Sequence, residues 1–242
     1  SINQLPDIYP DYVDVTIPAQ IAPLRFMLRH APEEAMVSIS AGEEKLVCKA
    51  SGKKGFLMDE GQWNDLLEAA VGKELEVKVY EKVDGNWQMY LPFHWSVSSD
   101  SMDPYLVYRL IEPGYETWNQ MGIYQRRLAD YEQTAVISNQ LTSHNCINCH
   151  NFPNQDPTQM VLHMRGQRGG TYLFQSGDIT KLNGKVSDKI PSLVYPSWHP
   201  TGDFIAFSTN QTRQAFHFND DNRIEVMDYA SDLLLYDVKN NE

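Results

Sequence analysis

Five consecutive residues, Cys146-Ile147-Asn148-Cys149-His150, combine two thiols and an imidazole in the pattern that attaches c-type haem. In this Cys-x-x-Cys-His pattern the two thiols add to the haem vinyl groups, and the histidine becomes an axial ligand of the iron. Two intervening residues let both sulfurs reach adjacent pyrroles, while the histidine lies over the ring centre. The sequence therefore predicts one covalent haem c, held by Cys146, Cys149 and His150.

Two other uses of the same thiols stay open. A zinc site could combine Cys146 and Cys149 with His144, His150 or His163, and the two cysteines could instead form a disulfide. Zinc is disfavoured because structural zinc sites usually contain two separated ligand pairs, whereas Cys149 and His150 are adjacent. A thioredoxin-like disulfide is disfavoured because the segment before the box is not a buried strand of a βαβ unit.

The third cysteine, Cys48, lies far upstream in an alternating strand pattern, Lys45–Ala50. A lone cysteine in such a pattern is typical of a small buried apolar residue. We therefore assign no function to Cys48.

Composition and charge narrow the class of protein. A chain of 242 residues can form one large domain or two modest ones, each with a buried core. Its net charge of −12 argues against binding to nucleic acid, which needs a cationic surface. The sequence contains neither an apolar run near the ~20 residues that span a bilayer nor a recognisable signal peptide. We expect a mature or shortened form of an exported protein, because bacteria attach haem to this box outside the cytoplasmic membrane.

Residues 1–112 are predicted to form a β-sandwich-like domain. A helix is expected from Glu60 to Val71, where Trp63, Leu66 and Leu67 recur at helical spacing. Asp84-Gly85 predicts a tight hairpin turn. Seven short strands are predicted: Tyr12–Ile17, Leu24–Leu28, Ala35–Ser40, Lys45–Cys48, Leu75–Tyr80, Trp87–Leu91 and Tyr105–Leu110.

Residues 113–166 are predicted to form a helical segment that carries the haem box. Apolar residues recur at helical spacing from Tyr124 to Ala135. After the box, Asp156-Pro157 has the sequence of a helix start, which predicts a short helix over Thr158–Arg165.

That short helix would supply the second axial ligand of the iron. Met160, His163 and Met164 would share one helical face about ten residues beyond the box. We expect His163 to bind the metal together with His150, with Met160 or Met164 as alternatives. The structural alternative is that the two methionines fill a core and that His163 hydrogen-bonds to a backbone carbonyl.

From Gly169 onward the sequence is again β-rich and contains Tyr195-Pro-Ser-Trp-His-Pro-Thr-Gly-Asp-Phe-Ile-Ala-Phe-Ser208, followed by Ser231–Glu242. These segments resemble a repeat of the TolB-like β-propeller family, with His199 in place of the usual serine. Together with the Tyr108–Glu116 segment and the haem box, they resemble bacterial extracytoplasmic TolB-like proteins, some of which are described as cytochrome-c-related.

This resemblance implies that residues 167–242 form the first one to two blades of a TolB-like propeller, in a mainly β protein. Gly170–Phe174 and Gly177–Leu182 would be the outer strands of one blade. A propeller needs about four to eight blades to close, so we expect the chain to be the front part of a longer protein.

The function expected from these features is that of a periplasmic or outer-membrane-associated c-type haem protein that transfers electrons to a redox partner protein or envelope complex. The alternative is a propeller-based protein- or glycan-binding scaffold whose box carries no haem. A haem enzyme would need an open distal position and an acid–base residue, for which His144 and His163 are the candidates, so enzyme status stays open.

Overall fold

The computed structural model describes residues 1–111, 120–182, 193–218 and 224–242. The protein is mainly β, with one α-helix among these residues. The chain divides into two compact units. The first unit contains Ser1–Leu106 and Arg126–Gln133, and the second contains Val107–Gln125 and Thr134–Glu242.

The first unit is built on a six-stranded sheet in the order β2-β8-β6-β4-β5, with β7 paired to β6. Strand β2 runs parallel to β8, and the other pairs are antiparallel. Strands β1 and β3 form a separate two-stranded pair. The element bounds are β1 Ile8–Tyr9, β2 Thr16–Pro18, β3 Met27–Leu28, β4 Ala35–Ala41, β5 Glu44–Lys49, α1 Glu60–Ala70, β6 Glu74–Val83, β7 Asn86–Met89 and β8 Phe93–Ser98.

Helix α1 packs its apolar face into the core of the first unit. Trp63, Leu66 and Leu67 are all buried, as the helical spacing predicts, and Trp63 packs edge-on against Trp95 at 5.9 Å between ring centroids. The helix contacts β4 and β5. The sequence predicted a sandwich, but the unit contains a six-stranded sheet with a helix against it and a separate two-stranded pair. Strand β8, which carries Trp95, was not predicted from the sequence.

A three-stranded sheet in the order β11-β10-β9 contains residues of both units. Its strands are β9 Tyr105–Ile111, β10 Met121–Arg127 and β11 Gln133–Ser138. The Tyr108–Glu116 segment, which contributes to the resemblance to TolB-like proteins, lies only partly within the described residues, because residues 112–116 are outside them.

The rest of the second unit contains two antiparallel sheets in chain order, β12-β13-β14-β15 and β16-β17-β18. They share a core in which Val161 and Leu173 of the first sheet pack with Ile205, Phe207 and Trp198 of the second. The strands are β12 Cys146–Asn151, β13 Gln159–Arg165, β14 Gly170–Gln175, β15 Asp178–Leu182, β16 Val194–Trp198, β17 Phe204–Phe216 and β18 Ile224–Asp237.

The predicted helical segment at 113–166 is wrong in its secondary structure, because its described residues form β10 to β13 and short 3₁₀ turns. The predicted helix at Thr158–Arg165 is instead the central strand β13, which is buried on both faces from Met160 to Met164. A strand buried on both faces is a continuous apolar run, which periodicity cannot distinguish from a buried helix. Asp156 accepts hydrogen bonds from the N–H and hydroxyl of Thr158, but it closes a turn rather than starting a helix.

Candidate functional site

The Cys-x-x-Cys-His box lies on β12, which is an edge strand of its four-stranded sheet. Its first three residues pair regularly with β13: Cys146 lies opposite Arg165, Ile147 opposite Met164, and Asn148 opposite His163. Residues directly opposite each other in an antiparallel pair share a face of the sheet. Cys146, Asn148, His163 and Arg165 therefore lie on one face, and Ile147 and Met164 lie on the other.

A β-bulge interrupts the second half of the box. The register shifts between Asn148 and Asn151, where three steps along β12 correspond to two steps along β13. Within this bulge Cys149 has a left-handed backbone with φ of 49°. Bulges are common next to functional sites because they redirect side chains out of the regular alternation of a strand.

Asn148 links the bulge to β9. Its side-chain oxygen accepts a hydrogen bond from the N–H of Cys149 at 2.9 Å, and the same oxygen accepts one from Nη1 of Arg109. Arg109 is exposed and belongs to the second unit, like the box.

Both box thiols are free and partly buried. Burial raises the pKa of Cys146, while the nearby Arg165 and Arg109 act in the opposite direction. Cys149 is close enough to raise the pKa of Cys146 further through its own charge. Both thiols are free in the structure, which therefore does not contain the alternative Cys146–Cys149 disulfide.

His150 is partly buried, and burial lowers its pKa. The backbone of Val107 lies close enough to favour the protonated ring and so raises the pKa of His150, while the charge of Arg109 lowers it. The Phe152 ring meets the imidazole edge-on, with 6.1 Å between ring centroids. The imidazole is therefore neutral near pH 7, which is the form that binds a metal.

His163, the predicted second metal ligand, is buried, with 5% of its surface exposed. Its Nδ1 lies 3.0 Å from the hydroxyl oxygen of Thr171, which in turn donates to the Leu193 carbonyl at 2.6 Å. Since the hydroxyl has one proton and donates it to Leu193, its oxygen must accept a proton from Nδ1. His163 then carries its free lone pair on Nε2. Burial, and secondly the charge of Arg165, lower the pKa of His163 to about 4.

The expectation that Met160, His163 and Met164 share a face is wrong. They lie on a strand, where residues i and i+4 share a face but residue i+3 points to the other side. Met160 and Met164 are buried with Ile123, Ile147 and Leu162 in an apolar cluster, so they fill a core. His163 lies on the opposite face, which is the face of Cys146.

Within the described ranges, no three histidine, cysteine or acidic side chains are grouped so as to hold a metal ion. The structure therefore does not assemble the ligand set of the zinc alternative there. His144, one of its candidate ligands, is exposed and has a left-handed backbone. Cys48 packs partly buried against the core of the first unit, and its thiol donates to the Leu57 carbonyl at 3.1 Å.

The residues of the box fit the chemistry of covalent haem attachment. Two free thiols and a neutral imidazole follow one another on an edge strand, and the bulge lies between the first thiol and the histidine. The sequence analysis proposed all three of these residues. It missed Asn148, Arg109 and Thr171, because the haem pattern assigns no role to position 148 and the other two residues act from different strands.

No family model, curated protein or solved structure matches this chain. Across the part of the chain that the structure describes, no helix is both long and apolar enough to cross a membrane.

Proposed function

We propose that the chain is a c-type haem protein that transfers electrons, in which Cys146 and Cys149 would hold the haem covalently and His150 would bind its iron. The proposal is supported by the bulge inside the box. Within five residues around this bulge, the chain contains two free thiols and a neutral imidazole. Each thiol would add across one vinyl group of the haem, with its proton going to the neighbouring vinyl carbon, so the attachment would need no oxidant. The bound iron would supply a one-electron couple.

His163 is the residue that would supply the second protein ligand of the iron. It lies opposite Asn148 of the box, is neutral near pH 7, and carries the lone pair on Nε2. Because only 5% of its surface is exposed, ligation would require the packing around His163 to open. Histidine at this position would give a lower reduction potential than methionine.

A periplasmic or outer-membrane-associated location and a redox partner protein or envelope complex belong to the same proposal. They follow from the chemistry of haem attachment and from the resemblance to extracytoplasmic TolB-like proteins. The net charge of −12 favours a partner with a cationic docking face.

We further propose that the two sheets of the second unit are the first blades of a TolB-like propeller. Support comes from their strand order, since both are antiparallel and follow the chain, β12-β13-β14-β15 and then β16-β17-β18. This is the strand arrangement of propeller blades. The shared core with Trp198 between the sheets is consistent with blade-to-blade packing.

The second candidate function is a propeller-based scaffold that binds a protein or glycan without haem. It is favoured by large exposed apolar side chains on β18 and beside β17, where Phe218 is 84% and Leu233 is 80% exposed. Such residues commonly mark interaction surfaces.

The deciding experiment is export of the full chain through a bacterial cytochrome c maturation system. The readouts are a pyridine haemochrome spectrum, retention of haem after acid-acetone extraction, and the mass of the intact protein. Three forms are compared: wild type, the double variant Cys146→Ala/Cys149→Ala, and Cys48→Ala as a matched cysteine control outside the box.

We expect one extraction-resistant haem in wild type and in Cys48→Ala, and none in the double variant. Absence of covalent haem from the folded wild-type protein, in cells that mature a control cytochrome, would reject the haem proposal and leave the scaffold function.

A further inference from the structure

We propose that Asn148 and Arg109 are positioning residues that hold Cys149 in the bulge. In this position the thiols of Cys149 and Cys146 can both react with the same molecule. The inference rests on the proposed function, in which both thiols add to the same haem. The Cys-x-x-Cys-His pattern leaves position 148 free. A requirement for this asparagine would therefore be a property of this chain and not of the pattern.

The backbone of Cys149 needs local support. Its φ of 49° is left-handed, a conformation that residues other than glycine adopt at an energetic cost. The Asn148 side chain supplies that support, because its oxygen accepts the N–H of Cys149 at 2.9 Å. Without this acceptor, the N–H of Cys149 loses the contact that fixes the bulge.

Arg109 determines how the Asn148 amide is oriented. Nη1 of Arg109 and the N–H of Cys149 are both donors, so both must face the amide oxygen and not the amide nitrogen. Over the described ranges Arg109 forms no ion pair with a carboxylate, and its guanidinium donates to the Asn148 side chain. Arg109 lies 39 residues before Asn148 in the sequence and thereby ties β9 to the box.

The test uses the haem-free full chain, kept reduced, and phenylarsine oxide, an arsenical that bridges two neighbouring thiols. Each binding event forms two As–S bonds, and the two thiol protons leave with the arsenic-bound oxygen as one water, so no oxidant is consumed. We expect one arsenical per wild-type chain, bound at Cys146 and Cys149. Loss of one positioning hydrogen bond in Asn148→Ala or Arg109→Met should weaken binding about tenfold.

Asn148→Asp is the rescue variant, because its carboxylate keeps an acceptor oxygen for both donors. It should bind the arsenical within about threefold of wild type, a difference smaller than the loss of one hydrogen bond. Thermal unfolding midpoints and the rate of Cys48 alkylation serve as controls for general loosening of the fold. On the haem-loaded protein, Asn148→Ala should shift the count of thioether bonds per haem from two toward one, measured by mass on the proteolytic haem peptide.

Wild-type arsenical affinity in Asn148→Ala would overturn the inference, and so would an equal loss in Asn148→Asp and Asn148→Ala. A loss of binding that merely follows a lower unfolding midpoint or faster Cys48 alkylation would also overturn it. The arsenical measurement is independent of haem. If wild type takes up no haem while the arsenical results are as expected, the proposed function fails and the positioning role of Asn148 and Arg109 stands.

Discussion

The Nδ1–H of His163 donates to the hydroxyl oxygen of Thr171, at 3.0 Å, and the Thr171 hydroxyl donates to the Leu193 carbonyl, at 2.6 Å. A neutral histidine can carry its proton on either ring nitrogen. Here the Thr171 hydroxyl donates its one proton to Leu193, so it can only accept from His163, and the ring proton must be on Nδ1. The hydrogen bond to Thr171 therefore makes Nε2 the ring atom that can bind a metal, as outer partners of metal-binding histidines do.

The depressed pKa of His163 predicts a loss of stability in mild acid. Its pKa is about 4 in the folded protein and 6.5 in an unfolded chain, so as pH falls the unfolded state takes up the proton first. The contribution of His163 to the free energy of unfolding is complete above pH 6.5 and declines until about pH 4. The 2.5-unit difference corresponds to a loss of about 3 kcal/mol.

NMR titration of the haem-free chain would measure the pKa of His163, and urea unfolding at several pH values would measure the stability. His163→Gln should remove this component of the pH dependence while leaving that of the other groups. A His163 pKa near 6.5 in the folded state would contradict the prediction.

Thr171→Val should be destabilising where Thr209→Val is not. The first variant leaves Nδ1–H of His163 and the Leu193 carbonyl without their buried partner, at a cost of about 1–3 kcal/mol. Thr209 is also buried, at 3% exposed, but its hydroxyl oxygen has no hydrogen-bond partner within the described parts of the chain. Removing that hydroxyl should be neutral or stabilising by up to about 1 kcal/mol.

Both variants belong to the second unit and make the same change in shape, so their unfolding midpoints in urea can be compared directly. Thr171→Ser, which keeps the hydroxyl, should recover part of the lost stability and restore protonation at Nδ1 in ¹⁵N NMR spectra. Equal midpoints for Thr171→Val and Thr209→Val would show that the hydrogen-bonded chain contributes nothing.

Local signals in the sequence predicted local structure well. Helix α1 begins at Glu60 as expected, because Asp59 caps it by accepting the N–H of Gln62 at 3.0 Å. Asp84 and Gly85 form the tight turn between β6 and β7, both with positive φ of 49° and 76°. In each case the residues that determine the local structure lie within a few positions of one another in the sequence.

The candidate site was predictable only in its chemistry. Residues Cys146, Cys149 and His150 are recognisable from their types and spacing, but the strand and bulge that hold them depend on distant partners. The bulge is stabilised by Arg109, 39 residues earlier, and His163 is held by a threonine on the next strand. The apolar run at Met160–Met164 satisfies both helix and strand patterns, and its neighbours β12 and β14 on either side decide between them.

The exposed apolar side chains of β18 predict self-association at high protein concentration. Leu233 and Leu235 are 80% and 68% exposed and lie on the same face of the strand. Replacing both with lysine should leave the unfolding midpoint nearly unchanged, because neither is buried, and should reduce association. Sedimentation velocity over a range of concentrations would measure this, with Leu234→Lys, a partly buried neighbour packed on the core, as a destabilised comparison. Identical sedimentation of wild type and the double variant would count against an interaction surface on β18.

Gly55 should tolerate alanine far less well than Gly42, although both have a positive φ, of 71° and 62°. A Cβ at Gly42 would meet nothing within 4 Å, so Gly42→Ala should cost only the backbone strain, about 1 kcal/mol. A Cβ at Gly55 would lie 2.2 Å from the Phe26 carbonyl oxygen, which accepts the N–H of Phe56 at 2.8 Å. Relief of that overlap must displace Phe56, which is fully buried in the core of the first unit, and should cost about 3 kcal/mol beyond the strain.

Urea unfolding followed by tryptophan fluorescence would compare the two variants, and equal destabilisation would mean that strain alone, and not the close approach of Phe26, makes glycine necessary at position 55.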